Sequence, residues 1–472
     1  MRYLSTRGEA PILEFADVLL AGLAEDGGLY VPETWPRFTK ADIRAMRGLS
    51  YDKVAFRVME PYVDGAINDA AFQEMIEDAY KEFSHPATAP TVQIDENLWL
   101  TELFHGPTLA FKDYPLQLVG RLFDYVLESS GQRATIIGAT SGDTGSAAIE
   151  ACRDRDAIEI FIFHPEGRVS DVQRRQMTTV ESPNVHNIAL EGTFDDCQDM
   201  VKALFADKTL ARRHNFSAVN SINWARIMAQ FVYYFWAALN IGAPDRKIAF
   251  AVPTGNFGNV FAAYGARCMG LPVDKLIIGS NANDILTRYF ESGAMEMRNV
   301  VPTLSPSMDI QVSSNFERLL FEYYRRDGAS VAKVMERFRR TGRASFGKGR
   351  WCAMRKLFEG YCVDDYTTKA VIGSVYQDTG QLLDPHSAIG VEAARRASRA
   401  SDVAVIAMAT AHPAKFIDAI HEVTGTTPEL PRQLAELLTK DELYETLPND
   451  IKQVSSYLEQ RLSTRAPDGS KQ

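Results

Sequence analysis

The chain has 472 residues, 46% hydrophobic and 24% charged, the composition of an ordinary globular protein long enough for two or more domains and a core that needs no covalent staples. Its formal net charge of -10 excludes a general nucleic-acid or anionic-membrane binder, so an anionic ligand has to be met by a local site. The 5 cysteines, Cys152, Cys197, Cys268, Cys352 and Cys362, form no C-x-x-C pair, which argues against a disulfide framework or zinc knuckle and for reduced thiols.

In chain order, "MRYLSTRGEAPILEF" has no long apolar h-region and no later run reaches the length of a bilayer span, which points to the cytoplasm and away from membranes. Amphipathic patterns such as "ILEFADVLLAGLAED" and "DAAFQEMIEDAYKEF" predict a mostly helical N-terminal segment over 1–100, ending in the extended "TVQIDENLWLTEL". Then comes "LFHGPTLAFKDYPLQ", Leu103 to Gln117, where Lys112 stands alone among turn formers and apolar residues. Two readings fit it. The stem of Lys112 lies along apolar surface with its head in water, or the amine is desolvated, loses its proton readily and forms a Schiff base.

Beyond Lys112 the texture changes to short aliphatic runs, each followed by a Gly/Ser/Thr/Asn turn and, in most cases, a helical pattern. The instances are "ATIIGATSGDTGSAAIEACRD", "IEIFIFHPEG", "VHNIALEGTFDDCQDMVKALF", "KIAFAVPTGNFGNVFAAYGARCMG", "KLIIGSNANDILTRYF" and "DVAVIAMATAHPAKFIDAI". Strands alternating with helices predict an α/β fold with right-handed crossovers, mostly parallel sheets and ligands at the carboxyl ends of the strands. The expected division is an α/β domain over 101–240 and a second over 241–472, the latter with a helical insertion near 315–375. The basic cluster from Arg337 to Arg350, with Phe338 and Phe346, reads as a solvated face or loop with packed aromatics rather than a nucleic-acid surface.

The turns hold the candidate chemistry. "GATSGDTGSAA" offers Thr140, Ser141, Thr144 and Ser146 interleaved with glycines at a helix start, which suits a carboxylate or other anion, with ordinary N-capping covering one or two of these residues. "VNSINWARIMAQ" places Asn220 and Ser221 ahead of a helix carrying Arg226, a planar fork for phosphate or, equally, a surface arginine. "TGNFGN", Gly255, Asn256, Phe257, Gly258 and Asn259 after Thr254, follows an apolar strand and opens a helix; it reads as a phosphate cradle or as a tight βα turn. Neither a Walker pattern nor G-x-G-x-x-G is present there. "ATAHPAKF" ends the last strand with Thr410 placed to meet a ligand and His412 shaping the turn, and no paired-ligand spacing points to a metal.

Taken together, "STRG", "GLAEDGGLYVPE", "HGPTLAFKD", "TSGDTGSAA", "GNFGN", "SMDIQVSSNFERLLF" and "ATAHPAKF", in that order from residue 5 to about 417, resemble the threonine synthase family, in the pyridoxal-phosphate fold related to the tryptophan synthase β-subunit. The N-terminal and "SMDI" segments are similar to its long-chain microbial and fungal branch. The resemblance implies two α/β domains, pyridoxal 5'-phosphate held by Lys112 as a Schiff base, and the cofactor's phosphate on Gly255 to Asn259. It further implies Thr410 at the pyridine nitrogen and Asp143 beside the ring oxygen, with Thr140, Ser141 and Thr144 on the substrate carboxylate and Asn220, Ser221 and Arg226 on the substrate phosphate. Related enzymes often place Asn at the ring oxygen, and the charge of Asp143 opposes a phenolate unless a proton or another donor intervenes. The implied reaction takes O-phospho-L-homoserine and water to L-threonine and phosphate in a monomer or weak dimer. The alternatives are a phospho-lyase giving 2-oxobutyrate from the same substrate and a non-catalytic descendant; a serine or threonine dehydratase is disfavoured by the second phosphate site.

Overall fold

Each of the six apolar runs named above forms a strand in the computed structural model, which describes residues 1–140, 142–218, 220–398 and 402–463; Ser141 lies outside them. Contacts divide the chain into two units, Met1–Leu118 with Ser221–Leu430, and Val119–Asn220 with Pro431–Gln472. The expected consecutive segments 1–100, 101–240 and 241–472 are therefore not the units of the structure. Strand pairing is the reason: Leu98–Glu102 pairs in parallel with Ala404–Ala409, and Glu445–Pro448 with Val185–Glu191, so sheet neighbours are far apart in sequence.

The first unit is built on a six-stranded sheet in the order Phe358–Cys362, Val273–Ser280, Ile248–Pro253, Ala404–Ala409, Leu98–Glu102, Thr91–Asp95. All neighbours are parallel except the last, an antiparallel edge. Ile248–Pro253 and Ala404–Ala409 are buried along their whole length, as central parallel strands covered on both faces must be, and so read as unbroken apolar runs. Ala249, Ala251, Val405 and Ala407 pack with Ala388, Val391 and Ala394 of the helix Pro385–Arg396, where small side chains let helix and sheet approach closely.

The N-terminal segment has its helices, Phe15–Ala21, Lys40–Arg44, Tyr51–Val63 and Asp69–Tyr80, but also a three-stranded antiparallel sheet of Leu13–Glu14, Arg2–Ser5 and Tyr30–Pro32. Strands this short are below the reach of periodicity. The insertion expected near 315–375 holds the helices Phe316–Tyr323, Gly328–Thr341, Lys348–Met354 and Asp365–Thr379, interrupted by the strands Arg343–Ser345 and Phe358–Cys362. Phe338 and Phe346 are buried, Phe346 with its ring centroid 5.2 Å from that of Tyr289.

The second unit carries an all-parallel five-stranded sheet in the order Glu445–Pro448, Val185–Glu191, Ile158–Pro165, Ala134–Ala139, Phe216–Ser217. Phe161, Phe163, Ile188 and Leu190 form its core with Met200 and Leu204 of the helix Phe194–Ala206. Among the described residues no helix is long and apolar enough to cross a membrane, and no group of three His, Cys, Asp or Glu side chains is placed to hold a metal ion.

Candidate active site

Lys112 is buried immediately before the helix Asp113–Ser130, its Nζ 5.2 Å from the centroid of the Phe111 ring. Its loop is stitched to the turn after Ala404–Ala409. Leu103 N–H donates to Ala409 O at 2.8 Å, Phe111 N–H to Thr410 O at 2.9 Å and His412 N–H to Leu109 O at 3.0 Å, with a bridge between Ala110 and Ala411. Lys112 and Thr410 are thus held on adjacent backbone despite nearly three hundred intervening residues. Beneath them Asp113 accepts from Thr108 N–H at 2.9 Å and Thr108 Oγ1 at 2.6 Å, and burial pushes its carboxyl up to about 6, opposed by those two bonds and by Lys415.

Thr410 N–H donates to Ser387 Oγ at 3.0 Å, and Ser387 Oγ donates in turn to the fully buried carboxylate of Asp384. With its N–H and O both committed, Thr410 has its hydroxyl left for a ligand. Asp384 also takes His386 Nδ1 at 2.8 Å, while His386 Nε2 accepts Ser307 N–H at 3.3 Å, a pair of contacts that sets the neutral ring with its proton on Nδ1. His412, the residue read as shaping the turn, accepts Ala414 N–H on Nδ1 at 3.1 Å and edges against Phe104. Burial lowers it to about 4.

The strand Ile248–Pro253 delivers the glycine loop, and the helix Gly258–Cys268 begins at once after it. Phe257, the N-cap, sits at φ 64°, a costly conformation for a bulky residue, held because its ring is buried against Phe316 at 5.2 Å. The cap supplies no side-chain acceptor, so the first-turn N–H groups are kept for a ligand. A Cβ on Gly255 would lie 2.9 Å from Ser307 O, so this position admits glycine alone while the neighbouring loop stays in place. Asn259 is buried, its Oδ1 accepting from Tyr233 Oη at 2.7 Å and Tyr234 Oη at 2.6 Å. Its Nδ2 is a buried donor with no partner among the described residues.

In the same unit Asn223 caps the helix Trp224–Asn240, accepting Ala225 N–H at 2.9 Å and donating to Leu19 O at 2.8 Å. That helix buries Arg226, whose guanidinium is drawn down to about 10 by desolvation and so remains charged at neutral pH. The turn before it is tied to the glycine loop through Asn315. Asn315 Nδ2 donates to Ser221 O and to Asn256 O, each at 3.0 Å, and its N–H also donates to Asn256 O at 3.0 Å.

The remaining candidates are in the second unit. Thr140 Oγ1 accepts from Gly142 N–H at 3.0 Å and Gly145 N–H at 2.9 Å, closing the turn that starts the helix Asp143–Cys152. Gly142, at φ 141°, adopts a conformation closed to other residues. Asp143 stands at this helix start, where a carboxylate is favoured, and accepts from Gln173 Nε2 at 2.9 Å. Thr140, Thr144 and Asn220 line one cavity of about 250 Å³ with Ile136, Gln198 and Lys202. Asn220 is exposed, and it and Ser221 are chain neighbours on either side of the unit division.

Sequence reading found the loops but missed the side chains that support them: Tyr233 and Tyr234 behind Asn259, Asn315 and Arg318, Asp384 with His386 and Ser387, and Gln173. Only "SMDIQVSSNFERLLF" carried a signal, and it came without a role. The parts fit a phosphate-bearing aldehyde: a buried primary amine for the carbonyl, and uncapped N–H groups with an unpartnered buried amide for the phosphate.

Three family models match the chain: threonine synthase N terminus over residues 2–80, pyridoxal-phosphate dependent enzyme over 85–338, and threonine synthase, C-terminal, over 387–458. A threonine synthase of Pseudomonas aeruginosa is 55% identical over 461 residues, 98% of each chain. The crystal structure of pyridoxal-phosphate-bound threonine synthase from Brucella melitensis superposes with a TM-score of 0.96 at 53% identity, covering 98% of this chain and 99% of that one. The yeast threonine synthase structure follows at 0.93 and 38%, again over 98% and 99%.

Proposed function

The chain belongs to the threonine synthase family of pyridoxal-phosphate-dependent enzymes, and from that premise we propose that it converts O-phospho-L-homoserine and water into L-threonine and phosphate with the residue roles set out below. The observation that carries the roles is the tie between the glycine loop and the turn leading to Arg226: one unit holds two anion-ready sites joined by a single amide. A cofactor phosphate and a substrate phosphate need such a pair, whereas a dehydratase acting on an unphosphorylated amino acid has no use for the second.

Gly255, Asn256, Phe257, Gly258 and Asn259 would hold the cofactor's phosphate; by the family resemblance the Thr410 hydroxyl would serve its ring nitrogen and Asp143, partnered by Gln173, its ring oxygen. Bound pyridoxal phosphate supplies an electron sink for the charge left when a substrate proton is removed. Lys112 would hold the cofactor through its amine and would be the base that takes and returns the proton at the substrate Cα. Thr140 and Thr144, at a helix start, receive the substrate carboxylate; Ser221 and Arg226, with Asn220 and Asn256, receive its phosphate. Fixing the substrate at both anionic ends orients Cα and Cβ for ordered proton transfers, and a water held near Cβ enters where the product hydroxyl ends up. The same reading takes the enzyme as a cytoplasmic monomer or weak dimer acting on a small molecule, which sedimentation and fractionation test.

Product identification tests the function: purified protein with pyridoxal phosphate and O-phospho-L-homoserine, assayed together for threonine, 2-oxobutyrate and phosphate. Threonine and phosphate in equal amounts are expected. Phosphate with 2-oxobutyrate makes it a phospho-lyase on the same site, and absence of phosphate release refutes the proposed reaction.

A further inference from the structure

Asn315 and Arg318 belong to "SMDIQVSSNFERLLF", and both are fully buried. We propose that Asn315, its amide locked by Arg318, is a positioning residue that sets the spacing between the cofactor-phosphate loop and the substrate-phosphate turn, so that the two anion sites are built as one piece. This rests on the assignment of those two loops given above.

The hydrogen bonds of Asn315 are fully assigned. Its two amide hydrogens go to Asn256 O and Ser221 O, its N–H goes to Asn256 O, and its Oδ1 is held by a guanidinium N–H of Arg318. A flipped amide would set Oδ1 against two carbonyl oxygens and NH2 against the guanidinium, so only one orientation is compatible with these neighbours. Arg318 is fixed as firmly, donating through Nε to Tyr30 O at 2.9 Å and through a terminal nitrogen to Ile222 O at 2.6 Å. Ile222 follows Ser221, so the guanidinium and the amide grip consecutive carbonyls of the same turn.

The acceptors around Arg318 are neutral oxygens, while its neighbour Glu317 is committed to Arg7 at 3.0 Å and to Thr6 Oγ1 at 2.7 Å. Burial draws the guanidinium down to about 9, which leaves it charged at neutral pH. A buried cation without a bonded carboxylate is costly in an empty protein and is offset when anions arrive nearby. Bonded to Ile222 O of one turn and to the Asn315 amide that ties this turn to the glycine loop, Arg318 locks the connector and adds a positive charge that favours anions there.

The test uses the full chain. Pyridoxal phosphate Kd is measured on cofactor-free enzyme by absorbance titration, and kcat and KM for O-phospho-L-homoserine on the loaded enzyme, for Asn315→Ala, Asn259→Ala and Arg226→Ala. Asn259→Ala is expected to raise mainly the cofactor Kd and Arg226→Ala mainly KM, whereas Asn315→Ala raises both, each by roughly 5- to 10-fold, the worth of one buried hydrogen bond to a site. If Asn315→Ala lowers only the melting temperature, or shifts one constant and not the other, Asn315 is a structural prop and the proposal is overturned. If Asn259→Ala and Arg226→Ala leave both constants unchanged, the loop assignment itself has failed and takes the proposal with it. Should Asn315→Ala not fold, Arg318→Lys is read by the same criteria: it keeps the charge but cannot grip Asn315 Oδ1 and Ile222 O together.

Discussion

Counting protons around Asn259 leads to a double-mutant cycle with a definite outcome. Its Oδ1 accepts from Tyr234 Oη at 2.6 Å and Tyr233 Oη at 2.7 Å, while Tyr233 Oη also lies 3.0 Å from Gln230 Oε1. Burial raises both phenols well above their ordinary 10, so each keeps one proton to donate. The proton of Tyr233 serves Asn259 or Gln230 at any moment, never both. Tyr234→Phe leaves Tyr233 as donor to Asn259 and costs about 1 kcal/mol, the net worth of one neutral hydrogen bond. Tyr233→Phe leaves Tyr234 in place and costs a similar amount. The double variant strands a buried carbonyl oxygen, which adds about 1–3 kcal/mol beyond the sum of the singles. It also frees the amide to turn, so cofactor affinity falls with stability, by roughly 10-fold if about 1.4 kcal/mol of that loss is felt at the site. Urea midpoints of the cofactor-free variants and pyridoxal phosphate titrations give both quantities. Additivity within about 0.5 kcal/mol, together with an unchanged cofactor Kd in the double variant, refutes the reasoning.

Lys112→Ala is expected to abolish turnover while the circular dichroism spectrum stays that of the parent; appreciable threonine formation removes the lysine from its role. Arg226→Ala should raise KM for O-phospho-L-homoserine by at least 10-fold, roughly the worth of a charge-assisted hydrogen bond, and unchanged kinetics remove the clamp. Asp113 sets a pH dependence. Its folded pKa is raised from 3.8 to about 6, so its contribution to stability is fully present below 3.8 and is lost as pH rises through about 6, a change of about 3 kcal/mol at most. Asp113→Asn should flatten that part of the melting-temperature profile between pH 4 and 7, and a profile parallel to the parent's rejects the assignment.

How far the site was legible depends on the distance over which each part acts. The glycine loop and Lys112 were readable because a βα turn and a lone lysine in a loop are local signals, carried within a dozen residues. The same holds for the parallel strands, whose unbroken apolar runs follow from burial on both faces. The unit boundaries were not readable, since they depend on Leu98–Glu102 finding Ala404–Ala409. Asn315, Asp384 and Gln173 escaped for a related reason: each is an ordinary polar residue whose meaning lies in a partner elsewhere in the chain. The strand Phe358–Cys362 was hidden by glycine and charge in "FEGYC", which suit the partly exposed edge position it occupies. Asp143 remained ambiguous on paper because its neighbour Gln173 is thirty residues away.

The stitching of the lysine loop to residues 409–412 also bears on how the enzyme is made. During synthesis the nascent chain carries Lys112 and the glycine loop long before it carries the turn that completes their setting. Closing so large a loop is entropically expensive and slow, and until residues 404–409 are made Leu98–Glu102 lacks its parallel partner strand. A chain truncated between residues 259 and 404 would therefore carry Lys112 and the whole glycine loop but lack the turn that fixes Lys112 in place, and is expected to load pyridoxal phosphate poorly.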